Sequence, residues 1–325
     1  MKTNPLLLAI VPAALSLVCN AAPVTFDQAK IELRERVYFD RNLQGDTYCG
    51  CQWQWVGRTG GRVALDSCGY QIRALPERAS RIEYEHIAPA WTLGHQRQCW
   101  QKGGRENCAA TDPIFRAMEA DAHNLTIVVG EVNADRAHYN FVPLSSTPYQ
   151  YGSCRTRVDF KRRAAEPRDE AKGFVARVQF YMHDWYGLDM SRQQQQIFSA
   201  WDRMYPVSAW ERERDMRIAK VMGHHNPYVT GERTWTLGQR PRGDGLSMLG
   251  EGSHPVQVPR PSTAAQPSQM AQTAAPSIIG SRNSRVYHLP NGCPSYALVR
   301  EHNRVYFQTA EQAEQAGFRL AGNCK

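Results

Sequence analysis

At 325 residues the chain can hold one sizeable core and leaves room only for a small second unit. Its formal charge of +8 and pI near 9.1 favour polyanionic partners such as nucleic acid, although solubility alone accounts for such a balance equally well. Arginine is the main carrier, and its planar fork suits phosphate better than a lysine point charge.

Lys2, the apolar run 6–18 and the small residues Asn20, Ala21 and Ala22 read as a signal peptide over 1–21, cleaved after Ala21. The run is too short for a comfortable membrane span. Cys19 suggests a lipoprotein, but Val18 before it is bulkier than such sites carry. The expected location is the periplasm or the exterior, with no membrane anchor.

Eight cysteines remain: Cys49, Cys51, Cys68, Cys99, Cys108, Cys154, Cys293 and Cys324. An even number behind an export signal implies disulfides. Cys99 is expected to pair with Cys108 and Cys293 with Cys324, while the other four stay open. No C-x-x-C spacing supports zinc. A zinc set drawn from His95, Cys99, Cys108 and His123 is the alternative.

Residues 25–39 predict a helix, with Thr25 and Gln28 as a capping box and Phe26, Ala29, Leu33 and Val37 on one face. Residues 52–56 and 63–65 read as a hairpin, with Cys51 and Cys68 placed to staple or flank it. A strand follows at 82–86. Residues 91–108, polar and broken by Gly103-Gly104, read as a long loop. Asp112 caps a short helix, 125–129 is a strand, and 131–138 a helix. Three longer helices are expected over 169–186, 191–205 and 208–224. Their aromatic residues read as core. Composition then assigns a disordered linker to 239–282 and a small stapled module to 283–325, leaving 22–238 as the main domain.

The chemistry concentrates between Glu85 and Arg136. Phosphodiester hydrolysis needs a base for water, neutralisation at phosphorus and help for the leaving oxygen. His86 can take the proton. Glu85 and Asn133 offer hard oxygen atoms, and two such ligands suffice for a hydrated Mg²⁺. Arg105 can clamp a phosphate. Arg97 and Arg136 are candidates for substrate contact. Taken singly, each has a plainer reading as a structural histidine, a salt-bridge partner or a surface amide.

In combination, Glu85-His86-Ile87-Ala88-Pro89-Ala90-Trp91, Gly94-His95-Gln96-Arg97-Gln98-Cys99-Trp100, Asp121-Ala122-His123-Asn124-Leu125 and Gly130-Glu131-Val132-Asn133-Ala134-Asp135-Arg136 resemble the endonuclease I family. With Gly223-His224-His225-Asn226-Pro227-Tyr228, the resemblance spans about two-thirds of the chain. It implies an α+β fold, mostly helical around a ββα-metal nuclease core. It also implies a sequence-nonspecific, monomeric enzyme acting on DNA and RNA through backbone contacts. His86 would be the general base, Glu85 and Asn133 would bind Mg²⁺ (Ca²⁺ or Mn²⁺ as alternatives), and Arg105, oriented by Glu119, would contact the phosphate. Residues 304–324 resemble the small zinc module of adaptive-response DNA-repair proteins. One cysteine of each of its two pairs is missing here, so a Cys293–Cys324 disulfide would replace the metal. A ribonuclease with little DNA activity, or a decayed binding protein, are the competing readings.

Overall fold

The structure is a computed structural model describing residues 22–249 and, in the C-terminal part, 278–324 apart from 283, 291–292, 297–298, 300–302, 308 and 323. The signal-peptide reading and most of the expected linker lie outside the described residues. Two compact units divide between 256 and 257.

The first unit opens on α1 (Phe26–Glu32), where Thr25 Oγ1 accepts from the Gln28 N–H and Gln28 Oε1 accepts from the Val24 N–H. Its continuation widens into a π turn at Leu33–Val37, burying Leu33 and Val37. Strands β1 (Gln52–Val56) and β2 (Gly60–Ala64) pair antiparallel with Trp53 opposite Val63, and Cys51–Cys68 staples the hairpin. A short α2 (Pro76–Ala79) leads into β3 (Ile82–His86).

The segment 91–108, expected to be a loop, is instead mostly helical: α3 (Ala90–Gly94), α4 (Gln98–Gln101) and α5 (Gly104–Thr111). Helices of four to eight residues are marginal alone. Here the Cys99–Cys108 bridge and tight packing hold them, and a Cβ on Gly94 would meet the Trp100 ring at 2.2 Å. None needs an apolar stripe, which is why composition suggested a loop. Asp112 caps α6 (Pro113–Glu119) by accepting from the Ile114 and Phe115 N–H groups.

β4 (Leu125–Val129) pairs antiparallel with β3 and runs directly into α7 (Gly130–Arg136). A three-stranded sheet of β5 (Asn140–Phe141), β6 (Arg157–Asp159) and β7 (Ala164–Glu166) follows, in the order β5-β7-β6. The core closes on α8 (Asp169–Trp185), α9 (Arg192–Met204) and α10 (Ala209–Met222), the last capped by Ser208 as expected. Arg177 on α8 is buried between Glu211 and Asp202. Then come α11 (Pro227–Thr230) and α12 (Asp244–Met248).

Both edges of the expected linker are corrected. Residues 239–249 belong to the first unit, since the Gly243 N–H donates to Asp184 O at 2.8 Å and Gly245 packs against Trp185. At the other edge, Ile278–Ser281 is strand β8, hydrogen-bonded between β10 (Arg304–Phe307) and β9 (Val286–His288). With α13 (Ala310–Gln315) and β11 (Arg319–Leu320), these strands form a second unit around Ile278, Tyr287, Ala313 and Phe318, stapled by Cys293–Cys324.

The helical core carries a pH dependence of its own. His183 on α8 is buried, and burial pushes its pKa down to about 4 against the carbonyl of Gln179. The unfolded chain therefore binds the extra proton between pH 6.5 and 4, so stability is full above 6.5 and falls with pH through that window. One such group contributes about 1.4 kcal/mol per pH unit. In urea titrations, His183→Gln should flatten the dependence of stability on pH there by that amount. An unchanged slope would contradict it.

Candidate active site

Successive side chains of β3 point to opposite faces, and the site is built on both. On one face lie Glu83 and Glu85. Glu85 is 3 % exposed; it accepts from Tyr48 Oη at 3.0 Å and pairs with Arg136 at 2.9 Å, both on Oε1. Glu83 accepts from the Asn133 amide at 3.0 Å and is clamped by Arg78 and Arg81. Burial raises the pKa of Glu85, with Glu83 adding to the effect and Arg136 and Tyr48 opposing it.

On the other face His86 is also buried. One of its ring nitrogens, Nε2, meets the Glu119 carbonyl at 2.8 Å, and the Phe26 ring of α1 lies 4.8 Å away. A carbonyl only accepts, so Nε2 carries the proton and Nδ1 keeps its lone pair. Burial, then the charge of Arg105, push the His86 pKa down to about 3, leaving the ring neutral at ordinary pH. The side chain of Glu119 takes Arg105 Nε at 2.5 Å. Glu119 thus holds the histidine with its backbone and the arginine with its carboxylate. The Arg105 side chain is 45 % exposed, with its terminal nitrogens outside that contact.

The sequence-predicted residues divide accordingly. His86, Arg105 and Glu119 come together, as do Glu85 and Arg136, while Asn133 lies on Glu83. Arg136 is not placed for substrate contact: it is 1 % exposed, stacked over Phe141, and donates to His86 O and Ile87 O at 2.9 and 2.6 Å. It fixes the end of β3 and sits against Glu85. Arg97 spends its fork on Asp112. That pair braces the cap of α6, so its place is in the scaffold. The alternative zinc set fails because the Cys99 and Cys108 sulfurs bond each other.

Three residues went unassigned from sequence. Glu83 was legible, standing two positions before Glu85 on the same face. Phe26 read only as part of one face of the first helix. Tyr48 gave no signal, since 37 positions separate it from Glu85.

The family resemblance implies a divalent metal, and the donor set on the Glu85 face fits one. A buried carboxylate and an amide oxygen are hard ligands of the kind a hydrated divalent ion takes in small number. Among the described residues, groups of three neighbouring His, Cys, Asp or Glu ligands occur at His288–Cys293–Cys324 and Asp46–Cys49–Cys51, and both include sulfurs already bound in disulfides.

A neutral imidazole beside an oxygen-rich acidic face and a half-exposed arginine is the equipment of a phosphodiester hydrolase. Comparison with known proteins places the chain within that class. The Endonuclease I family profile matches residues 25–232. An extracellular deoxyribonuclease of Aeromonas hydrophila is 47% identical over 208 residues, covering 63% of this chain and 88% of its own. Endonuclease-1 of Buchnera aphidicola subsp. Acyrthosiphon pisum is 43% identical over 204 residues, covering 63% and 80%. A periplasmic deoxyribonuclease of Aeromonas hydrophila is 48% identical over 185 residues, covering 56% and 76%.

This chain belongs to the endonuclease I family. It is an exported nuclease that hydrolyses phosphodiester bonds, with disulfides that fit that location. No helix among the described residues is long and apolar enough to cross a membrane.

Proposed function

We propose that the protein is a monomeric endonuclease cleaving DNA, and RNA as well, without sequence preference, through a ββα-metal site formed by β3, β4 and α7. The observation that carries this is the contact of His86 Nε2 with the carbonyl of Glu119, the same residue whose carboxylate orients Arg105, which leaves Nδ1 as the ring atom with a lone pair. His86 Nδ1 takes a proton from the attacking water as its oxygen bonds to phosphorus, and the ester oxygen on the far side leaves with the bonding pair and takes a proton from solvent water. Arg105 offers its terminal nitrogens to the phosphate oxygens, and Glu119 keeps it aimed. Glu85 and Asn133 hold Mg²⁺, with Ca²⁺ or Mn²⁺ as alternatives. When bound, the ion neutralises charge developing on the phosphate.

The names of the relatives favour DNA as the main substrate. The formal charge of +8 suits contacts to the backbone, which carry no sequence information. The second unit is read as a small nucleic-acid-binding module, stapled by Cys293–Cys324 where the resembling modules hold zinc.

Plasmid nicking tests the proposal. Supercoiled DNA should open and then linearise in Mg²⁺, stop in EDTA and resume with excess Mg²⁺. Cleavage of RNA with intact plasmid would support the ribonuclease reading. No cleavage of either, with DNA still bound, would support a decayed binder.

A further inference from the structure

Glu83 does not reach the imidazole, yet it is among the most tightly held carboxylates near the site. Arg78 approaches through both Nε and Nη2, and Arg81 donates to Oε1 from Nε at 3.1 Å and from Nη2 at 3.0 Å. Oε2, which also takes Arg78 Nη2, accepts from Asn133 Nδ2 at 3.0 Å. The start of α7 presses against this group: a Cβ on Gly130 would fall 2.9 Å from the Glu83 carboxyl carbon and 2.7 Å from the Arg78 carbonyl. Only glycine lets the helix begin that close, so the Asn133 amide is brought onto the carboxylate by the backbone itself.

An ionised carboxylate only accepts. It can therefore meet the Asn133 amide in one of its two orientations, with NH₂ toward Glu83 and Oδ1 turned away. The reverse orientation would set two oxygens against each other. We infer that Glu83 is a positioning residue for metal binding: it selects the Asn133 orientation that presents Oδ1 as a ligand, while Arg78 and Arg81 hold Glu83 in place. Glu83 and Glu85 share one face of β3, opposite Val128 and Thr126 of β4, so Asn133 is oriented over the face that carries the other proposed ligand. This rests on the reading of Asn133 as a metal ligand. Partners that orient metal ligands typically matter by about 10–100-fold in affinity.

The test measures Mg²⁺ binding by calorimetry in a His86→Ala background, where turnover does not interfere, with thermal melting alongside. Glu83→Ala should weaken Mg²⁺ binding by about 10–100-fold. Glu83→Gln, which can still offer a carbonyl to Asn133, should restore most of it. Where alanine costs the fold, Glu83→Met fills the space without an acceptor and makes the same comparison. Asn133→Asp removes the need for orientation, because its two oxygens are equivalent. In that background Glu83→Ala should no longer weaken binding. Unchanged Mg²⁺ affinity in Asn133→Ala would overturn the ligand reading itself. A loss in Asn133→Ala without one in Glu83→Ala would overturn the positioning role alone. An equal loss from Glu83→Ala in the Asn133→Ala background would also overturn it, because Glu83 would then act on the metal without passing through Asn133.

Discussion

His86→Ala should lower turnover by about 10²–10⁴-fold, the usual contribution of a general base, while Mg²⁺ and DNA affinity stay close to those of the parent. The separation follows from β3 geometry: His86 and Glu85 point to opposite faces, so removing the imidazole leaves the oxygen ligands in place. Glu85→Ala should do the reverse, weakening metal binding and regaining part of its activity in excess Mg²⁺. It also leaves buried Arg136 without its carboxylate, so some loss of stability accompanies it. Single-turnover cleavage with a metal titration distinguishes the two. Cleavage by His86→Ala within a few-fold of the parent would remove the histidine from its role.

The strand and helix that carry the proposed base and metal ligands were legible because their signals are local. Residues 82–86 alternate and form the expected strand, while the helix expected over 131–138 runs from Gly130 to Arg136, following its strand without a break. The long helices were legible for the same reason, through apolar period and the Ser208 cap. What escaped depends on distant contacts. An arginine reads as surface until the fold surrounds it, and Arg136 is drawn inward by two carbonyls and a glutamate from β3. Residues 91–108 read as loop because a disulfide and close ring packing, not an apolar stripe, hold their helices. The linker edges failed because Asp184 binds residues 242 and 243 from across the domain, and because β8 is recognisable only beside its neighbours.

Strong reductant should abolish activity, for reasons the bridges make specific. Cys49–Cys154 closes a separation of 105 residues, and in the chain-entropy account a loop of that length stabilises by about 4–5 kcal/mol. Cys49 also adjoins Tyr48, whose hydroxyl holds Glu85 and whose carbonyl accepts from Thr156 Oγ1 at 2.7 Å. Breaking this bridge should therefore loosen the acidic face as well as the fold. Cys99–Cys108 spans only nine residues, but Arg105 lies inside it. Cys99→Ser with Cys108→Ser should leave the domain folded and lower turnover by freeing Arg105 from its aim on the phosphate, with little change in metal affinity. Cys49→Ser with Cys154→Ser should lower the melting temperature first. Full activity with all thiols titrated would sink the argument. If it holds, a chain still in the reducing cytosol is inactive there, and the nuclease reaches its working form only where disulfides form, away from the DNA of the cell that made it.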